Sequence, residues 1–185
     1  DILGAENIRL FSFFTPVENR ESYKDKVIER LGAFCEIAKG SCITLCHENE
    51  KGIYGDTPER CLEIYKALPE IKAIFDPANY VQCGVDTLKA WELLKGYVKY
   101  LHIKDALADG NVVPAGNGIG NIKYILDEFK KLGGDSVTLE PHLTVFDGLK
   151  ALEKEDDKSV VGEVYKYSSN TEAFLAAVSA LRELI

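Results

Sequence analysis

The chain has 185 residues, 46% hydrophobic and 28% charged, an ordinary globular composition whose length suits one domain. A net charge of −8 with pI near 5.0 argues against a general nucleic-acid-binding surface. No apolar run reaches the ~18 residues that a membrane helix needs, and no signal-peptide pattern is visible.

The opening "DILGAEN" reads as a helix end turning into a strand. Ile8–Phe13 is the first predicted strand, and "SYKDKVIERLGAFCEIA" follows as a helix with Val27, Leu31, Phe34 and Ile37 on its apolar face. Cys42–Cys46 is the second strand. Five cysteines (35, 42, 46, 61 and 83), odd in number and without a CxxC spacing, read as reduced thiols of a cytoplasmic protein, with Cys42 and Cys46 buried in that strand. In "DTPERCLEIYKAL", Asp56 or Thr57 caps a helix with Pro58 in its first turn.

Ala73–Phe75 is the third strand, and "DTLKAWELLKGY" is a helix capped by Asp86, with Trp91 in the core. Val98–Ile103 is the fourth strand. "PAGNGIGNI" reads as a loop near the site. It lacks the Lys-Ser/Thr of a P-loop, yet its glycine amides leave phosphate cradling open. "GNIKYILDEFKKLGG" is a helix ending on a Gly pair, and Ser136–Leu139 is the fifth strand. The charged run "LEKEDDKS" at 152–159 reads as a solvated helix end or loop. "SSNTEAFLAAVSALRELI" closes the chain as a helix with Phe174, Leu175, Val178 and Leu181 at apolar positions.

Strands starting about 25–40 residues apart, each followed by a helix, are βα units. They imply a parallel sheet with right-handed crossovers. A doubly wound sheet and a (β/α)8 barrel both fit. No GxGxxG follows the first strand, so the dinucleotide signal is missing.

Chemistry concentrates where the strands end. His47, Glu48 and Asn49 follow Leu45-Cys46. Asp76 follows Phe75, with Asn79 three residues on. His102, Lys104 and Asp105 end the fourth strand, and Glu140 and His142 follow the fifth. In parallel α/β folds such ends converge on one face. Taken singly, each has a plainer reading as a structural histidine, a turn or a cap. Jointly, Glu48, Asp76, His102 and Glu140 would crowd carboxylates into one pocket, which a divalent cation relieves. One imidazole with oxygen ligands suits Mn²⁺, Mg²⁺, Co²⁺ or Zn²⁺ without choosing among them.

Strand alternation refines the set. Lys104 shares the parity of His102, where it could neutralise an oxyanion or a substrate phosphate. His142 shares the parity of Glu140. His47 opposes Glu48 and belongs beside a helix or behind the ligands. An inward Arg9 would contact substrate, and an outward one would pair with a helix carboxylate. Arg9, Asn79, Lys104 and His142 are the substrate-binding candidates.

The segments "IRLFSFF", "TLCHENEKGIYGDTPERC", "AIFDPANYVQCG", "YLHIKDA", "VVPAGNGIGNI" and "TLEPHL" resemble the xylose isomerase-like TIM-barrel superfamily, closest to its sugar phosphate isomerase/epimerase group. The resemblance runs through most of the chain and covers the last five of eight βα units. It implies one TIM-barrel domain over 1–185, N-terminally incomplete by roughly 80–100 residues. It also implies that Glu48, Asp76, His102 and Glu140 bind one divalent metal, and that Glu48 and Glu140 shuttle a proton through an enediolate. The partner would be a sugar or sugar phosphate; homo-oligomers are compatible with the sequence, and a membrane partner is not expected. A dehydratase or lyase acting on an inositol or keto-sugar, or a non-catalytic sugar-binding relative, are the alternatives. The superfamily's apurinic-site endonucleases use three zinc ions and extra histidines. Here Asn79 stands at one such position and no Asp-x-His occurs near Ala115–Gly118, so a nucleic-acid substrate is not expected.

Overall fold

The computed structural model describes residues 4–144 and 164–185. Its centre is a five-stranded, wholly parallel sheet built from β1 (Asn7–Leu10), β2 (Thr44–Glu48), β3 (Lys72–Phe75), β4 (Val98–Ile103) and β7 (Val137–Leu139). The strands lie side by side in chain order. A two-residue antiparallel ribbon, β5 (Asp105–Ala106) with β6 (Val112–Val113), sits beyond β4. The helices are α1 (Lys24–Ala38), α2 (Pro58–Ala67), α3 (Pro77–Gln82), α4 (Thr87–Leu94), α5 (Ile122–Lys131) and α6 (Asn170–Arg182). This is part of a (β/α)8 barrel.

Local chemistry sets most boundaries. Thr57 accepts from Arg60 N with Pro58 behind it, and Asp86 accepts from Leu88 N and Lys89 N. After α5, Gly133 takes a φ of +86°, and Gly134 N donates to Phe129 O at 2.9 Å. The second strand runs Thr44–Glu48, two residues later than its apolar stretch predicts, so Glu48 is the last strand residue. Cys42 consequently lies outside the strand and is exposed; Cys46 and Cys61 are buried, and all five thiols are free. The first strand stops at Leu10, because Ser12 Oγ turns to Tyr54 O and Phe14 bridges Ile53.

The core lies between sheet and helices. Leu31, Ile64, Tyr65, Trp91, Leu94 and Phe129 pack on Leu45, Ala73, Phe75, Leu101 and Ile103. Trp91 meets Phe75 edge-on at 5.3 Å. Two predicted apolar faces are only partly used. Phe34 and Ile37 of α1 are exposed. They line an open 410 Å³ groove with Ile8, Leu10 and Leu45. α6 buries Ala173 and Ala177 instead of Phe174 and Leu175, which are 50% and 60% exposed. Small residues let that helix approach closely, and periodicity alone does not reveal which side does so. The run at 152–159 falls outside the described residues.

The glycine run before α5 is explained by Asp105. Its carboxylate accepts backbone N–H groups from Ala106, Gly116, Gly118 and Gly120 at 2.8–3.0 Å. These amides already hold an internal anion, which overturns the phosphate-cradle reading. A Cβ at Gly118 would collide with Ala106 O, a backbone atom, and with the Asp105 carboxylate, which the loop amides hold in place. Gly118→Ala should therefore cost about 1–3 kcal/mol in urea unfolding. Gly96→Ala, facing open space, should stay within about 0.5 kcal/mol.

Candidate metal centre

Register and alternation assemble the site. In β2, Cys46 and Glu48 face inward while Leu45 and His47 face the helices. In β4, His102 faces inward while Leu101 and Ile103 do not. Glu48 stands level with Ile74, and His102 with Thr138, so the ends of four neighbouring strands point to one place. Glu140 N donates to Ile103 O at 3.1 Å, which fixes its side chain just past β7.

Asp76 is set differently, as the N-cap of α3. Its Oδ1 accepts from Asn79 N at 3.0 Å, which leaves Oδ2 for the pocket. Asn49 clamps this corner. Its Nδ2 donates to Asp76 O and its Oδ1 accepts from Asp76 N, both at 2.9 Å. Asn79 is buried here, donating to Asn49 O at 2.8 Å and reaching Glu50 Oε2 at 3.4 Å. Counting along the strands does not reveal the Asn49 clamp, although a buried asparagine directly after a ligand-bearing strand is the signal for it. His47 packs against α2, its Nδ1 3.2 Å from Tyr65 OH, and burial pulls its pKa down to about 3.

Ion pairs knit the centre. His102 Nδ1 is 2.9 Å from Glu48 Oε1 and 3.5 Å from Glu140 Oε2. Arg9 points inward, its Nη1 3.0 Å from Glu48 Oε2 and 3.1 Å from Glu140 Oε1. Lys104 is buried, its Nζ 3.0 Å from Asp76 Oδ2 and 3.1 Å from Glu140 Oε2. His142, at a φ of +43°, brings Nε2 within 3.8 Å of Glu140 Oε1.

Burial and charge compete at each group. Burial disfavours the charge on Glu140, but His102, Lys104 and His142 outweigh it and hold that carboxyl well below the usual range. Burial raises Asp76 to about 7, with Lys104 opposing and Glu48 and Glu140 adding. Burial opposes protonation of Lys104, yet Asp76 and Glu140 raise its pKa. His142 falls to about 4 through burial and the Lys104 charge.

Glu48, Asp76, His102 and Glu140 each offer a ligand atom, all within 4.8 Å of one another. Ligands held at about 2.0–2.4 Å from one ion span up to about that distance. Asp76 Oδ2 is buried and accepts no hydrogen bond; Lys104 approaches it as a charge without hydrogen-bond alignment. An unfilled lone pair on a carboxylate aimed into a carboxylate–imidazole cluster fits a divalent cation.

Over residues 2–157 the chain matches the family model for the xylose isomerase-like TIM barrel. The chain belongs to this family. A comparison with curated proteins gives no match. Among solved structures, it is similar to the IOLI protein with a bound zinc atom, at TM-score 0.71 and 17% identity over 98% of this chain and 63% of that one. A D-tagatose 3-epimerase-like protein gives TM-score 0.69 and 20% identity, over 98% and 62%. The probable 3-DHS dehydratase AsbF of Bacillus anthracis gives 0.63 and 20%, over 73% and 57%. The chain thus spans between 57% and 63% of these three family structures. Among the described residues, no helix is long and apolar enough to cross a membrane.

The imidazole yields a test. Burial opposes protonation of His102, but Glu140 and Glu48 raise its pKa from 6.5 to about 9. The folded state therefore holds an extra proton between those values. Its stabilisation is fully present below pH 6.5 and is lost as pH rises through 9. In chelator-treated protein, urea-unfolding stability should fall across this window, and His102→Gln should flatten the fall.

Proposed function

We propose that this chain carries the centre of a divalent-metal-dependent sugar or sugar phosphate isomerase or epimerase, working by proton transfer through an enediolate. Residues 1–185 belong, on this reading, to a single TIM-barrel domain that is N-terminally incomplete. The carrying observation is that Glu48, Asp76, His102 and Glu140, from four successive βα units, bring their ligand atoms within 4.8 Å of one another. These four would hold one ion (Mn²⁺, Zn²⁺, Mg²⁺ or Co²⁺). When bound, it would polarise a carbonyl and acidify the neighbouring C–H.

The rest is work for the chain itself. Glu48 and Glu140 are the proton carriers. One removes the α-proton of a keto-sugar, and the same or the other returns it. A carboxylate on each side of the substrate plane allows inversion at one carbon; return to the adjacent carbon gives isomerisation. Arg9 touches both carboxylates, so it orients the pair and stands where a substrate oxygen would meet it. Lys104 and His142 flank Glu140 and are the remaining substrate contacts, with Asn79 behind Asp76.

A dehydratase on the same framework is the second reading. Lys104 favours it, because a buried ammonium beside Glu140 stands where it could donate a hydrogen bond to a departing hydroxyl. Deuterium exchange separates the two. In D₂O with a divalent ion and a panel of keto-sugars and their phosphates, the α-carbon should exchange without loss of water. Glu48→Gln or Glu140→Gln should slow exchange by about 10²–10⁴. Net dehydration would select the second reading. Absence of metal binding by the wild-type chain, with ligand binding unaffected by Glu48→Gln, would leave a sugar-binding relative.

A further inference from the structure

The contacts that gather the candidate ligands also give every carboxylate among them a cation from this chain. Arg9 Nη1 bridges Glu48 Oε2 and Glu140 Oε1 at 3.0 and 3.1 Å. Lys104 Nζ bridges Asp76 Oδ2 and Glu140 Oε2 at 3.0 and 3.1 Å. Arg9 and Lys104 thus spread two positive charges over three carboxylates, beside the His102 ring, which lies 2.9 Å from Glu48 and 3.5 Å from Glu140. Neither cation has a lone pair to offer a metal, so neither is a ligand. Both compete for the same oxygens, and both repel a divalent ion at close range.

We propose that Arg9 and Lys104 are exchangeable counter-cations of this centre. They neutralise Glu48, Asp76 and Glu140 in the metal-free chain and yield those oxygens when a divalent ion enters. The inference rests on the metal reading above. The two cations differ in freedom. The Arg9 side chain is 42% exposed and lies 5.1 Å from the Phe11 ring, so it can withdraw toward solvent. Lys104 is only 3% exposed and is enclosed with the ligands. It stays near the ion and opposes it more strongly. Before an ion binds, both act as positioning residues for the carboxylates. Once displaced, each presents an uncommitted positive charge to whatever binds next.

Calorimetric titration of the chelator-stripped chain with Mn²⁺, and separately Zn²⁺, tests this on wild type, Lys104→Met and Arg9→Gln. Lys104→Met should bind the ions at least about tenfold tighter, because even in water's dielectric a neighbouring charge repels a divalent ion by that much. Arg9→Gln should bind more tightly by a smaller factor. Without metal, both variants should melt below wild type, since their carboxylates lose a counter-charge. With metal, their Tm should rise further than that of wild type. Should wild type bind and both variants bind equally or more weakly, the counter-cation role is overturned while the metal reading stands. Should wild type bind neither ion, the metal reading falls and takes this inference with it. If Lys104→Met does not fold, Arg9→Gln decides alone, because its half-exposed side chain can be replaced without opening the core.

Discussion

Everything in this molecule depends on the two-residue alternation of parallel strands held in register. A strand contributes one row of side chains to the helix layer and one row to the opposite face. In β2 the first row is Leu45 and His47, and the second is Cys46 and Glu48. In β4 it is Leu101 and Ile103 against His102 and, just past the strand, Lys104. The helix-facing row is the core, closed by Trp91, Ile64 and Phe129. A slip of one residue in β2 would put Glu48 under a helix, and one in β4 would put Leu101 or Ile103 where His102 stands. Hydrophobic burial therefore fixes the charged centre from the opposite face of the sheet.

That link explains why so much of the site is legible in the sequence. A buried strand is marked by its apolar residues, and the first acidic or imidazole side chain at its end is placed by counting. Counting assigns Glu48, His102, Lys104 and Glu140 to one face, and the structure puts them there. Asp76 is reached by the same counting but is held by another device, its role as a helix cap clamped by Asn49.

What the sequence conceals is non-local. The exposed Cys42 and the late start of β2 depend on where β1 and β3 sit. α6 turns Ala173 and Ala177 inward while Phe174 and Leu175 stay exposed, and no pattern within the helix encodes that choice. The glycine run reads as readily for an external anion as for an internal one; only the position of Asp105 decides. The composition of the charged centre is plain, whereas its pairing is not, since Arg9 could have faced either side of its strand.

The anchor at Asp105 also separates what this loop must keep from what it may change. Its holds on Gly116, Gly118 and Gly120 run through main-chain amides, whereas Asn117 and Ile119, which alternate with them, project outward. The loop's shape is thus written in the glycines and in one distant carboxylate. Asn117 Nδ2 does donate to Tyr165 OH at 3.1 Å, but the Asp105 holds do not pass through that side chain. A surface segment with a fixed path and replaceable side chains lets a fold acquire new preferences while its framework is conserved.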